Sequence, residues 1–66
     1  MLIETEIEDD GRWIAAVPAL SGVMVYGASR DEAIRKVELL ALRVIADRME
    51  HGEPIPSLDG WFAVAA

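Results

Sequence analysis

Leu2-Ile3-Glu4-Thr5-Glu6-Ile7-Glu8-Asp9-Asp10-Gly11-Arg12-Trp13-Ile14-Ala15-Ala16-Val17 is the stretch from which the rest of the chain takes its order. Between Leu2 and Glu8, Ile3, Thr5 and Ile7 alternate with Glu4, Glu6 and Glu8, the period-two signature of a strand with one wet face. Asp9-Asp10-Gly11 supplies turn chemistry, with Gly11 free to take the positive φ that short hairpin loops need. Arg12 to Val17 then returns antiparallel. With Glu8 opposite Arg12, the residues Ile3, Thr5, Ile7, Trp13, Ala15 and Val17 share the expected core face. Glu4, Glu6, Glu8, Arg12, Ile14 and Ala16 share the other, so the hairpin carries acid on its outer side.

Downstream, Pro18-Ala19-Leu20-Ser21-Gly22 breaks the pattern, because proline cannot donate to a ladder and Ser-Gly is a common turn pair. Val23 to Gly27 reads as a third strand. Ser29-Arg30-Asp31-Glu32 is a capping box, in which the Ser29 hydroxyl and the Glu32 carboxylate each satisfy a backbone N–H that a helix start leaves orphaned. The helix runs from Arg30 to about Glu50 without Gly or Pro. Asp31 with Arg35 and Glu32 with Lys36 are acid-first i,i+4 pairs, the favoured order. Gly52 fits as its left-handed stop, and the lone His51 is placed to hydrogen-bond the last carbonyls rather than to do chemistry. Pro54 and Pro56 keep the next segment extended, Ser57 to Gly60 supplies a turn, and Trp61 to Ala66 reads as a fourth strand.

A right-handed helical crossover brings that strand parallel to the first. The expected architecture is α+β, in the order β-β-β-α-β, with sheet order 3-2-1-4 and one helix on one face. Residues 1–66 read as a single domain without an internal repeat.

On a helical wheel, Ala33, Ile34, Val37, Leu40, Ala41, Val44 and Ile45 form the stripe that should cover the sheet. Leu39, Leu42, Ala46 and Met49 fall on the far side, where a monomer prefers polar groups. They are expected to form a subunit interface, because the connections are too short to cover them. The terminal run adds Trp61, Phe62 and Val64 as a second apolar contact, through an edge strand able to pair with another chain.

Composition points the same way. A chain of 66 residues buries only about 60% of the surface its unfolded form exposes. With no cysteine and one histidine, neither disulfides nor a thiolate metal site can reinforce it. Self-association as a homodimer or higher homo-oligomer is the expected reinforcement, and hydrophobic residues at 53% supply the surface for it. Twelve acidic against six basic side chains argue against binding nucleic acid and for a basic partner. Met1-Leu2-Ile3 runs straight into Glu4, and no apolar run approaches the roughly 20 residues of a membrane span, so the expected location is the cytoplasm.

Four motifs in order, Asp10-Gly11-Arg12-Trp13, Pro18-Ala19-Leu20-Ser21-Gly22, Gly27-Ala28-Ser29-Arg30-Asp31-Glu32-Ala33 and Gly52-Glu53-Pro54-Ile55-Pro56, resemble the HicB-like antitoxin family. Ser21 stands where the family usually has a loop proline, and Ser29 where it usually has threonine, with the capping chemistry kept. The resemblance implies a partial RNase H-like fold and a protein that neutralises a small basic HicA-type RNA-cleaving toxin by direct contact. Many such proteins carry a C-terminal DNA-binding segment; this chain ends at Ala66, so that segment is expected to be missing and operator binding is not carried over.

Glu4, Glu6 and Glu8 are the candidate toxin-binding residues, since an acidic stripe attracts a basic protein and speeds its association. A plainer reading is that they only solvate an open strand face and discourage sheet-on-sheet aggregation. Without a toxin partner, the alternative function is an orphan oligomeric adaptor. A metal-dependent nuclease of the RNase H type needs carboxylates converging from separate elements, and the candidates Glu4 or Glu6, Glu38 and Asp59 are expected to point apart. No catalytic residue, metal ligand or cofactor is assigned, and the chain reads as a binding protein rather than an enzyme.

Overall fold

The alternation becomes a ladder in the structure, a computed structural model that describes residues 1–56 and 62–65. β1 (Leu2–Ile7) and β2 (Trp13–Ala16) pair antiparallel, with Glu4 opposite Ala16, Thr5 opposite Ala15, Glu6 opposite Ile14 and Ile7 opposite Trp13. This is the register set by placing Glu8 against Arg12, and the Glu8 N–H donates to the Arg12 carbonyl at 2.7 Å. Gly11 sits in the turn at φ 88°, a region closed to most side chains.

β3 (Met24–Gly27) runs antiparallel beside β2, and α1 (Arg30–Glu50) carries the chain back across the sheet. β4 (Ala63–Val64) then lies parallel to β1, giving the order β3-β2-β1-β4. The fold is therefore α+β, a mixed four-stranded sheet with one helix among the described residues, as the sequence pattern predicts. β4 is shorter than the expected strand from Trp61 to Ala66. Both end residues of that expectation, with the turn at 57–60, lie outside the described residues.

The helix begins and ends on local chemistry. Ser29 Oγ accepts from the Glu32 N–H at 3.1 Å, while Glu32 Oε2 accepts from the Ala28 N–H at 2.9 Å, one residue beyond the usual capping-box partner. Glu32 also pairs with Lys36 at 2.9 Å, whereas Asp31 and Arg35 form no ion pair. At the other end the Gly52 N–H donates to Met49 and the Glu53 N–H to Arg48, a Schellman closure with Gly52 at φ 69°. His51 Nδ1 donates to the Asp47 carbonyl at 2.7 Å, the capping role expected of it.

The core lies between the helix and one face of the sheet. Ile3, Ala15, Val17, Leu20 and Val23 are buried from the sheet side, and Ala33, Val37, Ala41 and Ile45, spaced every fourth residue, from the helix. Ile34, Leu40 and Val44 flank that stripe half-buried. Ile7 departs from the expected core, being 55% exposed. The cause is where the helix starts: Arg30 in its first turn reaches Thr5, so Ile7, one same-face step further along β1, projects past the helix end.

Candidate functional site

Because the helix covers one face of the sheet, the other face is left bare. Glu4 and Glu6 stand on it, with Glu8 following just beyond the end of β1. Same-face residues on a strand are about 7 Å apart, so the carboxylates form a column along the strand. Beside Glu4 the register places Ala16 and then Met24; beside Glu6 it places Ile14 and then Tyr26. Met24 is 54% and Tyr26 43% exposed, so an apolar strip runs parallel to the acidic one. Glu4, Thr5, Glu6, Ile14, Ala16 and Met24 line a shallow open concavity of about 220 Å³.

The cation just before β2 is held by other partners on this face. Arg12, across from Glu8, donates through Nε to Asp10 Oδ2 at 2.7 Å, and its guanidinium lies 4.4 Å from the centre of the Tyr26 ring. The Arg12 backbone N–H, with the guanidinium after it, holds the Asp10 carboxyl below its usual range. Among the described residues, Glu4, Glu6 and Glu8 form no ion pair; Glu4 and Glu6 are exposed and Glu8 is half-buried.

A second bare surface lies on the far side of the molecule. Leu39, Leu42, Ala46 and Met49 are all exposed on α1, as the wheel predicts, and none reaches the core. At the sheet edge, Val64 is exposed while Phe62 is half-buried against the core, so of that pair Val64 presents the freer surface. Trp61 lies outside the described residues.

The carboxylates considered for metal chemistry are split by the fold. Glu4 and Glu6 occupy the bare sheet face and Glu38 the helix on the opposite side, while Asp59 lies outside the described residues. Among the described residues no three metal-ligating side chains come together. No helix among them is long and apolar enough to cross a membrane.

Two features escaped sequence reasoning. Tyr26 and Met24 extend the outer apolar strip, which could have been found by carrying the hairpin register one strand further. Arg30 ties the helix start to β1 and to the residue after β4, a contact with no local sequence signal. No protein-family model, curated protein or solved structure matches the chain.

Proposed function

We propose that the chain is a HicB-like antitoxin of partial RNase H-like fold, acting in the cytoplasm, that neutralises a small basic HicA-type RNA-cleaving toxin by direct contact. The observation that carries this reading is the column of Glu4, Glu6 and Glu8, which form no ion pair among the described residues, beside the apolar strip of Ile14, Ala16, Met24 and Tyr26. Carboxylates at the rim of a desolvating apolar contact give a basic partner both long-range attraction and a surface to settle on. The β-β-β-α-β order with β4 parallel to β1 supports the fold assignment, and the separation of Glu4 and Glu6 from Glu38 supports binding over catalysis.

The test is calorimetric titration with a small basic protein encoded beside this chain. Affinity should fall steeply between low and physiological ionic strength. Replacing Glu4, Glu6 and Glu8 together by Gln should weaken binding about tenfold or more. Binding indifferent to both changes excludes this face as the toxin site.

A second reading is an adaptor that assembles with itself and has no toxin. The exposed Leu39, Leu42, Ala46 and Met49 favour it, because they lie away from the acidic face and have no use in the first reading.

A further inference from the structure

We propose that the outer face of α1 pairs with the same face of a second copy as a parallel two-helix seam, Leu42 against Leu42. The inference deepens the assembly reading and needs no toxin. Arg35, Leu39, Leu42, Ala46 and Met49 follow one another at steps of four, three, four and three residues. That is the heptad spacing by which two helices keep a common seam, and the last four members are exposed and apolar.

Charge fixes the occupant and its direction. Asp31 and Glu38 flank the seam on one side, Lys36 and Arg43 on the other. In a parallel pair, Glu38 meets Arg43, the cation five residues further along the other copy. Twofold symmetry repeats this contact. An antiparallel pair instead sets the Glu38 flank against itself and the Arg43 flank against itself. Within the described chain Glu38 and Arg43 form no ion pair, which leaves them available, whereas Lys36 is held by Glu32 at 2.9 Å and donates to the Tyr26 carbonyl. Arg35 marks the N-terminal limit of the apolar seam, because in this register it lies opposite Arg35 of the second copy and its guanidinium stays in solvent.

A stable interface takes about 800 Å² from each partner, about a fifth of the 4383 Å² this chain exposes. The four apolar layers fall short of that alone, so the charged flanks belong to the contact and the pair is reversible. The sheet lies behind the helix in each copy, which leaves both acidic faces open and pointing away from each other.

The chain has no cysteine, so Leu42→Cys introduces a single thiol at a position already 41% exposed. Under mild oxidation it should form a covalent dimer, since a parallel seam brings the two Cα atoms to about 6 Å. Ser21→Cys, exposed on the far loop, is the control. Glu38→Lys and Arg43→Glu should each weaken association about fivefold or more, and the double variant should restore it. Cross-linking of Leu42→Cys no faster than the control, or a double variant no tighter than either single one, overturns the seam, provided circular dichroism shows the variants folded. A parent chain that captures the toxin but does not pair overturns the seam alone, whereas one that pairs but captures no basic protein encoded beside it overturns the antitoxin reading alone.

Discussion

Arg30 Nη2 donates to the carbonyl of Ala65 at 3.1 Å, while its Nε donates to Thr5 Oγ1 at 3.3 Å. A cation in the first turn opposes the helix dipole, so its presence there is explained by this tether rather than by helix chemistry. β4 otherwise rests on two described ladder residues, through the Ala63 N–H to Met1 and the Ala65 N–H to Ile3. Arg30→Ala should cost about 1–3 kcal/mol by leaving part-buried acceptors unpaired. Hydrogen exchange should accelerate at Ala63 and Ala65 well before the β1–β2 ladder; an even loss across the sheet would assign Arg30 a purely global role.

Gly27 is needed for a different reason. A Cβ built there would lie 2.6 Å from the Ala33 backbone nitrogen and 2.9 Å from its Cα, where no flexible side chain can yield. The end of β3 and the start of α1 therefore touch backbone to backbone. Gly27→Ala should destabilise by about 1–3 kcal/mol as an overpacked contact, or roughly 4–8 °C in Tm per kcal/mol for a domain of this size. An unchanged melting curve would mean that this approach is looser than described.

Leu20 closes the end of the core. The Leu20 N–H donates to Val17 and the Val23 N–H donates to Leu20, two successive turns that swing the side chain inward until it is 1% exposed. Leu20→Ala should cost about 2–5 kcal/mol, a large share of the roughly 3–10 kcal/mol expected of so short a chain. Urea unfolding should show the midpoint falling sharply, and a shift no larger than that of a surface variant would contradict this placement.

These three residues mark where the sequence stopped being readable. The β1–β2 register was legible because alternation and an Asp-Gly turn both act locally, and Ser29, Glu32 and Gly52 carry capping signals that need no tertiary context. Leu20 sits in a turn, where no period distinguishes an inward side chain from an outward one. Arg30 joins residues 35 apart in sequence, and Ile7 is exposed only because of where the helix happens to begin. Of the candidate surfaces, the column of Glu4, Glu6 and Glu8 was visible from alternation alone. The diversion of Arg12 to Asp10 and Tyr26 was not, since the alternation alone pairs it with Glu8.

Acid should weaken the helix start. Lys36, then the Ala28 N–H, hold the Glu32 carboxyl below its ordinary value of 4.5. Because the folded value is the lower one, this contribution is complete above 4.5 and is lost as pH falls through the folded value. Glu32→Gln should flatten the fall in stability below about pH 4.5 relative to the parent. Parallel acid-unfolding curves for the two proteins would show that Glu32 is not the linked group.

Sedimentation velocity of the purified chain over a wide concentration range bears most directly on the proposition that its uncovered apolar surface exists for association. The weight-average mass should rise from 7.2 kDa at high dilution towards that of two copies as concentration increases. A folded species that stays at the single-chain mass at every concentration would contradict it.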